Sequence, residues 1–293
     1  MGNYNHINNT QEVRRVLIIT LFLNIAVAAA KIAYGYVTNS ISITSDGFHS
    51  MFDGTSNIFG LIGIWIAAHP PDKEHPYGHR KFETLFTIVI GIMILGTSFR
   101  ILEKVYFSFK GEYSQAIVTP VSFAVMLVTM AVNIFVARYE AARGKVLKSD
   151  FLSADAMHTQ SDILTTTSVI IGLLFVKLGY PAADSLAGLV IVVFIAKIGY
   201  EILRKSTDIL VDRVCMNTSL IESLVIKIEN VRGCHDIRTR GSESATYVDL
   251  HILVDPAMPV EKAHGIADRV EEMICKEFPN VVDVVVHVEP EKN

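Results

Sequence analysis

Hydrophobic residues in the first two thirds of the chain form long runs almost free of charge, whereas the last third mixes short apolar alternations with many charges. The runs cover residues of about 13–37, 41–68, 81–107, 115–139, 151–178 and 182–205. An apolar helix needs roughly 20 residues to cross a hydrocarbon core about 30 Å thick, and each run is long enough. The pattern predicts a six-helix transmembrane region at 1–207. A cleavable leader is a poor account of the first run, because a second apolar run follows it where a polar mature segment would start.

From residue 208 the period changes. Val248, Leu250, Ile252 and Val254 alternate with polar residues, as a half-buried strand requires. Pro259 with Glu261 signals a helix start, and Phe278-Pro279-Asn280 a stop. The expected order is a helix over 218–231, strands over 234–241 and 245–254, a helix over 260–277 and a strand over 282–288. That is a small α+β domain of αββαβ order at 208–293, ferredoxin-like or metallochaperone-like, with its helices on one face of the sheet. The fold class is therefore a polytopic α-helical membrane protein with a C-terminal cytoplasmic α+β domain.

Charge then orients the chain. With a cytoplasmic N-terminus, Arg14, Arg15, Lys73, Arg80, Lys81, Arg138, Arg143, Lys145, Lys148, Arg204, Lys205 and Arg213 all fall on the cytoplasmic side. Lys104, Lys110 and Lys177 fall opposite. The positive-inside rule puts both termini in the cytoplasm of a multi-pass cell-membrane protein. The segment after residue 208 is net acidic, which argues against nucleic acid as a partner and favours cations. Cys215, Cys234 and Cys275 form no disulfide framework and no paired CxxC site.

Ionisable residues at bilayer depth are costly and point to function. The second run holds Asp46, His49 and Asp53 within SDGFHSMFDG, and the fifth holds Asp155, His158 and Asp162 within SADAMHTQSD. Each repeats His-x-x-x-Asp, and a spacing of four puts both side chains on one helix face. Both pairs lie about 8–12 residues into their runs, so at ~1.5 Å per residue they sit near the bilayer midplane. Two imidazoles and two carboxylates make an N2O2 set that tetrahedral Zn²⁺ accepts, while Mg²⁺ and Ca²⁺ want six or more oxygens. Ligand type leaves Fe²⁺, Mn²⁺, Co²⁺ and Cd²⁺ open. Imidazole must be neutral to bind metal, so the same groups can exchange protons for the ion. Asp46 and Asp155, outside the two pairs, read as supporting or pathway groups.

Two further clusters lie outside the runs. The connection after the second run, HPPDKEHPYGHRKFE, concentrates Asp72, His75 and His79 in a turn shaped by proline and glycine; His69 reads as a cap. In the C-terminal domain His235, His251, His287 and Glu289 border the strands, and residues two apart on a strand share a face. Cys234 beside His235 reads as a small buried cysteine rather than a ligand.

The segments SDGFHSMFD, HPYGHRKFE, SADAMHTQSD and GCHDIRTRG, in this order over residues 12–290, resemble the cation diffusion facilitator family, close to its bacterial and archaeal zinc and iron efflux members. The resemblance implies a homodimer in a lipid bilayer that exchanges divalent metal for protons, with Zn²⁺ as substrate and regulatory ligand and no obligatory cofactor. It implies a transport site at His49, Asp53, His158 and Asp162, a loop site at Asp72, His75 and His79, and a cytoplasmic binuclear site at His235, His251, His287 and Glu289. It also implies a salt bridge between Lys81 and Asp212. Glu289 and His49 stand where the best-known bacterial relatives carry aspartate, and a two-histidine, two-aspartate set is typical of zinc-selective members. No Walker loop or phosphorylated-aspartate motif is present, so an ion gradient should drive transport. A non-transporting sensor would need no midplane quartet, and a metallohydrolase would need an open metal position.

Overall fold

The computed structural model describes residues 2–37, 50–51, 54–110, 120–177 and 182–291; Asp46, His49 and Asp53 lie outside the described residues. The chain divides into two compact units, one over Ile7–Ser206 and the other built on Thr207–Asn293.

The first unit is helical: α1 Gly2–Val37, α2 Thr55–Ala67, α3 Lys81–Phe109, α4 Pro120–Leu147, α5 Asp150–Lys177 and α6 Ala182–Leu210. Among the described residues, Gln11–Tyr34, Lys81–Phe107 and Phe123–Leu147 are long and apolar enough to cross a membrane. The unit is a polytopic helical membrane region, and its burial pattern agrees. Phe22, Trp65, Ile92, Phe99, Phe135 and Phe194 point outward, while Thr20, Ser56, Asn57, Glu140, Asp155, His158 and Ser161 are buried. Lipid is as apolar as leucine, so apolar side chains can face outward freely, and polar groups must find partners inside.

Helix α4 runs on to Leu147, past the span end expected at 139. Residues 137–143 are mostly good helix formers, and a few charges at a membrane edge do not end a helix. Glu140 thereby becomes an interior residue, 1% exposed.

A short turn through Lys148, at φ 51°, and Ser149 joins α4 to α5. The start of α5 is held from three sides. Glu83 of α3 accepts hydrogen bonds from Ser149 Oγ at 2.6 Å and Phe151 N at 3.4 Å, where the positive end of a helix favours a carboxylate. Lys205 of α6 pairs with Asp150 at 2.9 Å. Phe151, fully buried, lies over Gly60 of α2, where a Cβ would meet the ring at 2.2 Å. With Leu17, Ile90, Leu152 and Ile195 it forms the apolar core of the unit. These contacts set the height and rotation of α5, and so the positions of His158 and Asp162.

The second unit contains α7 Thr218–Val225, β1 Gly233–Ser242, β2 Ala245–Val254, α8 Val260–Glu277 and β3 Val281–Pro290. The sheet order is β1-β2-β3, with β1 antiparallel and β3 parallel to β2. Val248, Leu250, Ile252 and Val254 of β2 pack against Ile221 and Val225 of α7 and Ile266, Val270 and Ile274 of α8. Tyr247, Asp249, His251 and Leu253 therefore lie on the opposite face of β2. The helix expected over 218–231 stops at Val225, and residues 226–231 continue in tight i→i−3 turns, Ile228 N to Val225 O and Val231 N to Ile228 O. Ile221, Val225 and Ile228 stay buried throughout, because such turns preserve the apolar spacing of a helix. Gly241, at φ 114°, precedes the Glu243–Ser244 turn of the β1–β2 hairpin and lets the strands approach closely; a Cβ there would lie 2.2 Å from the Ala245 carbonyl oxygen.

The helix contacts yield a paired expectation. Gly60→Ala should cost about 1–3 kcal/mol through overpacking against Phe151. Gly96→Ala, with nothing within 4 Å of the new methyl, should leave the full-length protein equally or slightly more stable. Thermal unfolding of both variants in detergent measures the difference.

Candidate metal sites

In the membrane region, α5 presents Asp155, His158 and Asp162 over two turns. His158 and Asp162 line a cavity of about 30 Å³ together with Asn24 of α1, Ser50 and Ser56, and Asn133 of α4. One water needs roughly 10–15 Å³, so the space admits a small ion or water. Ser50 directly follows His49 and precedes Asp53 by three residues, so the flank of the first His-x-x-x-Asp pair reaches the cavity that holds the second. His158 is buried, and neither of its ring nitrogens has a hydrogen-bond partner among the described residues. A buried imidazole is normally satisfied; this one has a lone pair free for a metal or a proton.

A polar chain supports the cavity from below. Asn24 Nδ2 donates to Asn57 Oδ1 at 3.0 Å, and Asn57 Nδ2 donates to Asp155 Oδ2 at 2.9 Å and to Thr20 Oγ1 at 3.0 Å. Asp155 is therefore tied to α1 and α2 through Asn57. Lys31, buried in α1, donates to Ser50 Oγ at 2.8 Å.

Between α2 and α3, Asp72 Oδ1 accepts from the backbone N–H groups of His75 at 2.6 Å and Glu74 at 2.9 Å. These donors, that of His75 foremost, hold the Asp72 carboxyl below its ordinary pKa. Gly78, at φ 83°, donates to the His75 carbonyl and turns the chain back. His75 Nδ1 and His79 Nε2 thus come within 3.5 and 3.4 Å of the two Asp72 oxygens. One potential ligand atom from each of the three residues lies within 4.8 Å of the others. The rings of His75 and His79 lie 4.3 Å apart beside Phe82. His69 Nδ1 sits 2.9 Å from the Trp65 carbonyl oxygen and caps α2.

On the sheet, the register pairs His235 with His251 and His251 with His287, which places three imidazoles in one row across β1, β2 and β3. A bulge follows His235, with Asp236 at φ 50°; such bulges re-aim side chains. Glu289, two residues beyond His287, reaches all three: 3.1 Å from His251 Nδ1, 3.5 Å from His235 Nε2 and 3.6 Å from His287 Nε2. His235, His251 and Glu289 form a second group with ligand atoms within 4.8 Å. Cys234 points into the core instead, and burial pushes its thiol up to about 11; burial raises Cys275 as well.

Among the described residues, Asp72 lies beside His75 and His79, Glu289 lies beside His235, His251 and His287, and His158 and Asp162 line one cavity. Lys81 opens α3 in the first unit, and Asp212 lies just past α6 in the second, at φ 56°. Sequence reasoning missed Thr20, Asn24, Asn57 and Glu140. Uncharged amides and hydroxyls in apolar runs carry no signal of their own, and Glu140 lies beyond the expected end of its span.

Over residues 17–211 the chain matches the family described as cation efflux transmembrane domain, and over 216–291 that described as cation efflux protein, cytoplasmic domain. It is 34% identical over 285 residues to the uncharacterized transporter MJ0449 of Methanocaldococcus jannaschii, covering 95% of this chain and 99% of that one. It is 30% identical over 292 residues to the manganese efflux system protein MneP of Bacillus subtilis, covering 94% and 96%. Identity to the cation-efflux pump FieF of Serratia proteamaculans is 28% over 264 residues, covering 89% and 87%.

The thiols give a direct check on the sheet. Cys215 is exposed, whereas Cys234 holds its proton to about pH 11. At pH 8 Cys234 should alkylate at least about tenfold more slowly than Cys215, since only the thiolate attacks. Equal rates by mass spectrometry would mean that Cys234 does not face the core.

Proposed function

This chain belongs to the cation diffusion facilitator family, whose members are secondary transporters and not enzymes, and we propose that it exports Zn²⁺ from the cytoplasm in exchange for protons. It is a divalent-metal efflux transporter of that family; the ion, its coupling and the residues below are our reading. The observation that carries it is His158, whose ring nitrogens have no hydrogen-bond partner among the described residues, beside Asp162 in a cavity that Ser50 also lines. His49 and Asp53 complete an N2O2 set there, and the tetrahedral preference of Zn²⁺ suits four such ligands.

Metal arriving from the cytoplasm displaces protons from His49 and His158 and is held by Asp53 and Asp162. Reorientation of a six-span bundle, both of whose termini are cytoplasmic, then exposes the site to the far side, where protons compete for the ligands and release the ion. Asp155, tied through Asn57 to α1 and α2, keeps α5 in register during this change. The loop site of Asp72, His75 and His79 takes metal at the cytoplasmic surface. The row of His235, His251 and His287 with Glu289 binds regulatory metal in a homodimer, where it biases the dimer toward the conformation that binds it more tightly.

A second reading keeps the mechanism and changes the ion. The similarity to a manganese efflux protein and the hydroxyl and amide oxygens of Ser50, Ser56, Asn24 and Asn133 lining the cavity favour Mn²⁺; oxygen donors suit this harder ion.

Flux into vesicles with an imposed pH gradient tests both. Zn²⁺ should move faster than Mn²⁺, Fe²⁺ or Cd²⁺, and Asp162→Asn should lower flux at least about tenfold, the loss of one of four ligands. Faster Mn²⁺ movement would transfer the assignment to the second reading, and gradient-independent movement would sink the exchange mechanism. His49→Asp should widen the range of ions moved toward Fe²⁺ and Cd²⁺, and unchanged selectivity would detach zinc preference from that position.

A further inference from the structure

We propose that Glu140 and Asp155 form a second station for the transported divalent cation, made of oxygen donors and lying on the Leu147–Asp150 side of His158. That its ligand is the transported ion rests on the transport reading above.

Glu140 is 1% exposed and Asp155 2% exposed. The two carboxyls face each other across α4 and α5, with Thr20 of α1 and Asn57 of α2 against the same pair. Neither oxygen of Glu140 has a hydrogen-bond partner among the described residues. The side-chain donors of Asn57 and Thr20 have other acceptors. The two amide hydrogens of Asn57 go to Asp155 and Thr20. The Thr20 hydroxyl gives its single hydrogen to the carbonyl of Val16 or Leu17. The donors within reach of Glu140, on Thr20 and Asn57, are therefore already engaged elsewhere. Arg143, one turn along α4, gives one guanidinium nitrogen to Glu12 at 2.8 Å, while its buried Nε has no partner among the described residues; the other titratable group facing the pair is His158.

A buried carboxylate without a donor is costly, and a second one beside it adds repulsion. A cation between them reverses both effects. A proton can satisfy one oxygen, whereas a divalent ion can use Glu140 Oε1 and Oε2, Asp155 Oδ1 and Thr20 Oγ1 together. That all-oxygen set accepts Zn²⁺ and also harder ions such as Mn²⁺ and Fe²⁺. Asp155 precedes His158 by three residues, ~4.5 Å along the helix axis, so an ion on the station is one short step from the imidazole. The station concentrates metal at the foot of the transport site and selects for ions that tolerate oxygen ligands.

The test uses the full-length chain in lipid nanodiscs, with Asp162→Asn present to weaken the transport site and Mn²⁺ as the probe. Electron paramagnetic resonance counts bound Mn²⁺. Adding Glu140→Gln, which keeps size and removes charge, should lower the count by about one ion per chain, and Glu140→Asp should restore it. An unchanged count in Glu140→Gln overturns the proposal, and an equal loss in Glu140→Asp overturns it in favour of a packing role. In vesicles, Glu140→Gln alone should raise KM for Mn²⁺ about tenfold with kcat within about twofold. A fall in kcat at unchanged KM also overturns it. If the unaltered protein moves no ion, the transport reading fails, and the nanodisc count still decides whether the station exists.

Discussion

A polar side chain taken into hydrocarbon must find its partners within the protein, and the membrane region is organised around that requirement. Its aromatic and aliphatic side chains point outward, while amides, hydroxyls and carboxyls gather between α1, α2, α4 and α5. Asn57 links three of these helices in one set of hydrogen bonds. Among the described residues of this interior, His158, Glu140 and the Arg143 Nε are buried without a hydrogen-bond partner. His158 and Glu140, which can act as ligands, mark where exchangeable ions are expected to bind.

The placement of α5 connects this interior to the rest of the fold. Glu83, Lys205 and the contact of Phe151 with Gly60 all act on its first turn. None of these residues reaches the cavity, yet together they decide how high His158 stands and which way it faces. A helix anchored at one end and lined with polar groups further along can tilt about that end while its own backbone hydrogen bonds stay intact.

The C-terminal domain reaches its cluster by different physics. Its helices cover one face of a three-stranded sheet, and the row of histidines occupies the other. Strand register alone brings the three imidazoles together, and the length of the glutamate side chain lets one carboxylate touch all of them. Where aspartate would demand a closer backbone, Glu289 reaches across. The loop cluster is built locally instead, by two backbone donors to Asp72 and a turn at Gly78.

The sequence by itself determined much of this. Long uncharged runs identify membrane helices because lipid tolerates little else, and alternation at Val248 to Val254 identifies a half-covered strand because successive side chains face opposite ways. His-x-x-x-Asp spacing puts His158 and Asp162 on one face, since four residues make about one helical turn. These are short-range, periodic consequences of backbone geometry. Tertiary structure decided the rest. Glu140 falls just beyond the run expected to end at 139, and α4 continues past it to Leu147; its shortage of donors depends on where Asn57 and Thr20 direct their hydrogens. The end of α7 at Val225 was hidden because tight turns keep the same apolar spacing. The alignment of His235, His251 and His287 depends on the pairing of strands, which no local pattern specifies. Contacts between residues distant in the chain carry no period, so they become visible only once the helices and strands have been brought together.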